Sequence, residues 1–165
     1  MDWKPKEDEE TSAQCLNFGK NHWFNLPLVY VLPEQGKLFR YDQLAINVII
    51  NNSKGGINSC DIPFTDDFQQ FNQDYLQLTK QVAAECKSSF REDLMVVGTS
   101  AMITTELDYI VNQYTDSFCN PMVMWGKYRQ GWFKTTLPIS FQFHHVQMDG
   151  GHAAQFMEQL LCLFA

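Results

Sequence analysis

The stretch Leu137-Pro-Ile-Ser-Phe-Gln-Phe-His-His-Val-Gln-Met-Asp-Gly-Gly-His152 combines a strand pattern with side chains that can carry chemistry. Asp149 follows His145 by four residues, and Gly150-Gly151 predicts a tight, partly left-handed turn before the next element. The apolar residues that alternate along the predicted strand and share a face with His145 are Leu137, Ile139, Phe141 and Phe143. The pattern therefore predicts an imidazole and a carboxylate close to one bend.

His145 is a candidate general base, because a neutral imidazole accepts a proton near neutral pH. The alternative is a hydrogen-bonded core histidine, the commoner role on an apolar strand face. His144 points to the opposite face and is predicted to be structural. His144, His145, Asp149 and His152 could also be metal ligands. Opposite-facing neighbours and the diglycine spoil the ligand geometry, so no metal site is predicted.

Several segments together carry a family resemblance. The run His145-x-x-x-Asp149-Gly150, preceded by a second histidine, resembles the active-site signature of the chloramphenicol acetyltransferase family. Asn120-Pro-Met-Val-Met-Trp-Gly-Lys-Tyr128 is similar to the family strand that ends in Gly-Lys-Tyr, and Thr99-Ser100-Ala101 is similar to its short Ser-Ala segment. Order and spacing agree from about Gly36 to the C-terminus.

The resemblance implies an α/β two-layer sandwich, in which a mixed β-sheet is covered by helices. It also implies a homotrimer with active sites between subunits. The implied reaction is acetyl transfer from acetyl-CoA to a hydroxyl of chloramphenicol or a related acceptor. His145 would be the base, Ser100 would stabilise the oxyanion, and Asp149 would support the loop. Lys127 and Tyr128 would lie along the coenzyme A site.

The same comparison of motifs shows departures from the family pattern. The family pairs its aspartate with an N-terminal arginine, but no arginine precedes Arg40. Asp149 is therefore expected to use a lysine, a hydroxyl or backbone amides instead. Thr104 stands where the family has a tryptophan, and Met124 replaces a threonine thought to hold a water. A strand and two helices that precede the first hairpin in the family have no room here.

These departures keep two other functions open. One is a shortened, non-catalytic relative that acts as an assembly or ligand-binding module. The other is an acyltransferase with a different donor or acceptor, because the His-x-x-x-Asp-Gly run also occurs in dihydrolipoyl and condensation-type acyltransferases. For Ser100 the alternative is an ordinary turn residue. For Lys127 and Tyr128 it is a solvated lysine beside a strand-end tyrosine.

Length and composition narrow the class of protein. The 165 residues fit one domain, with a polar tail over residues 1–14. The chain has twelve basic and nineteen acidic residues, which give a net charge of −7. This negative charge argues against binding to nucleic acids or to an anionic membrane. The five cysteines are widely spaced, and the first residues lack the apolar core of a signal peptide. Both features favour a reducing, cytoplasmic location.

Periodicity predicts the remaining elements. Strands are predicted over residues 26–32, 37–42, 44–50, 94–97 and 122–125, with a loop at residues 51–56. Thr65-Asp-Asp predicts a helix start, since apolar residues then recur every three or four positions to Cys86. Pro138 predicts that the strand carrying it lies at a sheet edge or places the proline nitrogen where no ladder bond is needed. The final helix has a predicted apolar stripe formed by Ala153, Phe156, Met157, Leu160 and Phe164.

Overall fold

The fold is built around a mixed sheet with two helices. A computed structural model of the chain describes residues 29–32, 37–111, 120–145 and 148–163. The elements in chain order are β1 (Val29–Leu32), β2 (Lys37–Arg40), β3 (Leu44–Asn51), β4 (Ile57–Pro63), α1 (Phe68–Glu85), β5 (Met95–Met102), β6 (Met122–Gly126), β7 (Arg129–Gln130), β8 (Thr135–Thr136), β9 (Ile139–Gln142) and α2 (Gly150–Leu163). The predicted tail over residues 1–14 lies outside the described residues.

Five strands form the main sheet in the order β4-β3-β5-β6-β9. β3 pairs antiparallel with β4 and parallel with β5, whereas β6 pairs parallel with β5 and antiparallel with β9. Two antiparallel hairpins, β1–β2 and β7–β8, complete the strands described. The mixed sheet covered by helices, which the resemblance implied, is confirmed.

The connection between β3 and β4 is a tight turn organised by one side chain. Asn52 Oδ1 accepts hydrogen bonds from the N–H groups of Lys54 and Gly56, at 3.0 and 2.9 Å. Gly55 has a positive φ of 80°, a conformation that glycine adopts without steric cost. The predicted loop is thereby confirmed, except that Asn51 still belongs to β3.

Helix α1 begins and ends where its capping residues predict. Asp67 caps the N-terminus by accepting from the backbone N–H groups of Gln69 and Gln70. Cys86 ends the helix in the left-handed region, with its N–H donating to the Val82 carbonyl. The buried residues of the helix are Phe71, Tyr75 and Val82, all within the predicted apolar stripe, whereas Phe68 of that stripe is exposed.

Helix α2 packs on the edge of the sheet formed by β9. The Phe156 ring stacks on Phe141 with a centroid distance of 4.4 Å, and Leu160 is buried nearby. Pro138 lies just before this edge strand, so its missing N–H costs no ladder bond, and the edge prediction is confirmed. None of the described helices is long and apolar enough to cross a bilayer.

Two predictions of local structure and one alternative were wrong. The alternative of a turn residue for Ser100 is wrong, because Thr99-Ser100-Ala101 is part of β5 and pairs with β6 residue by residue. The β9 strand ends at Gln142, so the strand face does not continue to His145. Gly150 and Gly151 are the first residues of α2, and neither has a positive φ, so there is no left-handed turn there.

Candidate active site

Ser100 lies in a row of three side chains that crosses the sheet. The strand registers place Ser100 beside Met124 of β6, and Met124 beside Ser140 of β9. Successive residues of a strand point to opposite faces, so this row lies on the face opposite Thr99, Val123 and Phe141. Phe141 stacks on helix α2. Ser100 therefore projects from the face that α2 leaves uncovered, where it is half-buried.

A cavity of about 790 Å³ lies where the last residues of β3 and β5 meet helix α1. Ser100 borders it together with apolar and polar residues. Its lining includes Val48, Ile50, Leu76, Thr79, Lys80, Ile103 and Trp125. The other predicted site residues, His145, Asp149, Lys127 and Tyr128, do not line it. Within one protomer, Ser100 therefore borders a cavity that His145 does not line.

His145 lies in the turn between β9 and α2, three residues beyond the end of the strand. The Met148 N–H donates to the His144 carbonyl at 3.2 Å, which closes the turn around His145. The His145 side chain is exposed, whereas the His144 side chain is half-buried. This differs from the predicted strand-face position, because the chain leaves the sheet before it reaches the histidine. An exposed imidazole is accessible to a substrate or to a second protomer.

Asp149 caps helix α2. Its Oδ1 accepts from the His152 N–H at 2.9 Å and lies 2.8 Å from His152 Nδ1. The backbone N–H of His152 is the main cause that lowers the pKa of Asp149, and the His152 ring adds to it. Backbone amides, one of the expected substitutes for the family arginine, are thus its partners. Sequence reasoning missed His152 as a second partner, although an aspartate three residues before it is a capping signal.

Lys127 and Tyr128 follow β6 directly, and both are exposed. The Lys127 N–H donates to the Thr105 carbonyl at 3.2 Å, which fixes the backbone next to the turn containing Thr104. Met124, the other family departure, is buried in the row beside Ser100. An apolar side chain thus occupies the position next to the candidate oxyanion donor.

The sequence predicts no metal site from His144, His145, Asp149 and His152. Among the residues that the structure describes, no group of three or more His, Cys, Asp or Glu side chains could hold a metal ion. His152 instead contacts Asp149 at the N-terminus of α2. The site described here consists of a serine, an exposed histidine and a helix-capping aspartate.

Comparison with known proteins gives one family. The family model for chloramphenicol acetyltransferase matches residues 28–161. Chloramphenicol acetyltransferase 3 from Escherichia coli is 30% identical over 104 residues, which are 59% of this chain and 48% of that protein. The chain thus spans about half the length of this curated relative.

Solved structures share the fold at low sequence identity. A chloramphenicol acetyltransferase structure superposes with a TM-score of 0.62 at 17% identity, covering 93% of this chain and 74% of that one. A truncated catalytic core of the 2-oxoacid dehydrogenase multienzyme complex from Thermoplasma acidophilum gives a TM-score of 0.66 at 12% identity, covering 97% and 74%. These likenesses show the fold alone. Because the family model matches most of the chain, from the first strand through most of helix α2, the chain belongs to the chloramphenicol acetyltransferase family.

Proposed function

We propose that the protein is an O-acetyltransferase that moves an acetyl group from acetyl-CoA to a hydroxyl of chloramphenicol or a related acceptor. The observation that carries this proposal is the family match over residues 28–161, which includes the Ser-Ala, Gly-Lys-Tyr and His-x-x-x-Asp-Gly segments. No metal takes part in the proposed reaction.

In the proposed mechanism, His145 accepts the proton of the acceptor hydroxyl while its oxygen attacks the thioester carbonyl. Ser100 Oγ donates a hydrogen bond to the resulting oxyanion. Collapse of the tetrahedral intermediate breaks the carbon–sulfur bond, and coenzyme A leaves as the thiolate. Asp149 holds the start of α2 and so positions the turn containing His145. The exposure of His145 supports this role, since a base must reach the substrate.

We also propose that a second protomer completes each site, in a homotrimer. Ser100 borders a cavity that His145 of the same protomer does not line, and a shared site would bring the serine of one copy to the histidine of another. The sheet face that carries Ser100 also keeps exposed apolar side chains, namely Ile49, Ile57 and Met102. Their burial against a neighbour would favour assembly. Sedimentation equilibrium of wild type and of Ile57→Glu tests this, with a trimer expected only for wild type.

The decisive assay measures thiol release from acetyl-CoA in the presence of chloramphenicol or other hydroxyl compounds. His145→Ala should lower the rate by about 10²–10⁴, the usual contribution of a general base. Gln142→Ala is the matched control, because Gln142 is an exposed residue at the end of β9, three residues before His145. Equal rates in the two variants would contradict the proposed role of His145.

Ser100 has its own matched control. Ser140 is in the same row of the sheet, two strands away, and is half-buried like Ser100. Ser100→Ala should cost about 10²–10³ in rate if its hydroxyl stabilises the oxyanion. Ser140→Ala should leave the rate nearly unchanged. A loss of the same size in both variants would indicate a packing effect of the sheet face instead.

A second candidate function is a non-catalytic family member that acts as an assembly or ligand-binding module. The buried Met124 beside Ser100 favours it, because a thioether cannot hold a water as a threonine hydroxyl does. Calorimetric titration with coenzyme A separates the candidates. Measurable affinity supports the enzyme, and the absence of both affinity and thiol release supports the module.

A further inference from the structure

Two buried polar side chains are linked to each other next to Ser100. Among the residues that the structure describes, the buried polar or charged side chains are Asp61, 3% exposed, and Thr99, 4% exposed. Both contact Asn47 of β3. Thr99 Oγ1 donates to the Asn47 carbonyl at 2.7 Å, and Asn47 Nδ2 donates to Asp61 Oδ1 at 2.6 Å. This Asp61–Asn47–Thr99 network therefore joins β4, β3 and β5.

The network lies where β3 and β5 separate. The parallel pairing of these strands ends at Asn47 and Gly98, whereas β5 stays paired with β6 as far as Met102. Ser100 is thus paired with β6 but not with β3. The cavity that Ser100 borders is lined by residues of both strands beyond the point of separation, including Ile50. The Thr99 hydroxyl ties β5 to β3 one residue before Ser100.

The Asp61 side chain holds the other end of the network. Its Oδ2 atom accepts from the Arg91 N–H at 2.8 Å, so the carboxyl group bridges β3 and the segment between α1 and β5. Asn47 cannot turn away without leaving a buried acceptor short of a donor, which costs free energy. Buried polar networks whose members are paired make the strands that they join more rigid.

We propose that Thr99 is a positioning residue for Ser100, supported through Asn47 by Asp61. The inference rests on the proposed function, because it assigns the group that fixes the proposed oxyanion donor. Such a donor acts only when its hydrogen bond is aimed at the place where negative charge develops. A displacement of about 1 Å can cost about 10² in rate. The Thr99 hydroxyl prevents that displacement at the unpaired side of β5.

The acetyl-transfer assay tests this role with Thr99→Val, which keeps the shape of the side chain and removes its hydroxyl. The kcat should fall by about 10–10². The KM values for acetyl-CoA and for the acceptor should stay near those of wild type, because the oxyanion forms only in the transition state. Thr99→Ser keeps the hydroxyl and should retain most of the kcat. Val97→Ala is the control for lost stability, since Val97 is buried on the same face of β5. It should lower Tm but leave the kcat unchanged below that temperature.

A double-mutant cycle shows whether Thr99 acts through Ser100. Adding Thr99→Val to Ser100→Ala should change the kcat by less than about twofold, because the group that Thr99 positions is already absent. Asn47→Ala provides the same cycle if Thr99→Val does not fold. It should give a smaller loss of kcat that also disappears in the Ser100→Ala background.

The outcomes separate this inference from the proposed function. Wild-type turnover with an unchanged kcat in the foldable variant, or with losses that multiply with that of Ser100→Ala, would overturn the inference alone. Wild type that releases no thiol with any acceptor would overturn both.

Discussion

Replacing Phe156 by alanine should release helix α2 from the sheet edge that leads to His145. The Phe156 side chain is only 1% exposed, and its ring stacks on Phe141 of β9 at 4.4 Å with an interplanar angle of 27°. Truncating a buried phenylalanine costs about 3–5 kcal/mol in free energy of unfolding, because a cavity remains. The ring is completely enclosed, so we expect a loss in the upper half of that range.

Urea denaturation measures this loss directly, and thermal unfolding provides a second measure. For a domain of this size, each kcal/mol lowers Tm by about 2–4 °C, so Phe156→Ala should lower Tm by roughly 8–20 °C. Leu161→Ala is the control on the same helix, since Leu161 is 66% exposed. Its effect should stay within about 1 kcal/mol.

The stacking contribution can be separated by a double-mutant cycle with Phe141→Ala. Paired aromatic rings should give a coupling free energy of about 0.5–1.5 kcal/mol. Because α2 begins directly after Asp149, the Phe156 variant should also lose the proposed acetyl transfer at temperatures where it remains folded. Equal destabilisation by Phe156→Ala and Leu161→Ala, with no coupling to Phe141, would refute the described packing of α2.

Three further predictions concern single contacts. Asp61→Ala removes a buried acceptor from two half-buried donors, the Asn47 amide and the Arg91 N–H, and should cost about 1–3 kcal/mol in urea denaturation, whereas Asp61→Asn should recover part of it. Burial raises the pKa of Cys60 to about 11, so alkylation followed by mass spectrometry should label exposed Cys162 before Cys60, and Cys60 only after unfolding. The lowered pKa of Asp149 means that its stabilisation is present above the ordinary aspartate pKa and is lost as pH falls through the folded value. Tm should therefore fall less below about pH 4 in Asp149→Asn than in wild type.

Sequence reasoning succeeded where the signal is local. Helix α1 was predicted from its apolar period and from the aspartates before Phe68, and the structure confirms both the face and the cap. The edge position of β9 followed from Pro138, because proline cannot donate to a ladder. The candidate site residues came from motif resemblance, and their proposed roles stay predictions.

Sequence reasoning failed where pairing with distant segments decides the conformation. The β4 strand was not predicted, because Ile57-Asn-Ser-Cys-Asp-Ile-Pro63 has few β-branched residues and no clean alternation. It is a strand because seven of its residues pair with β3. Residues 98–102 likewise resemble a turn in composition, yet they extend β5 because a parallel partner lies alongside.

The sequence by itself determined the local elements of this protein: an amphipathic helix, strand runs, capping residues and the order of the family motifs. These depend on neighbours within a few positions, so they can be read along the chain. Only the tertiary structure decided that Ser100, Met124 and Ser140 form one row and that His145 lies beyond the strand end. Sheet register and strand ends depend on contacts between segments distant in sequence, which local patterns do not encode.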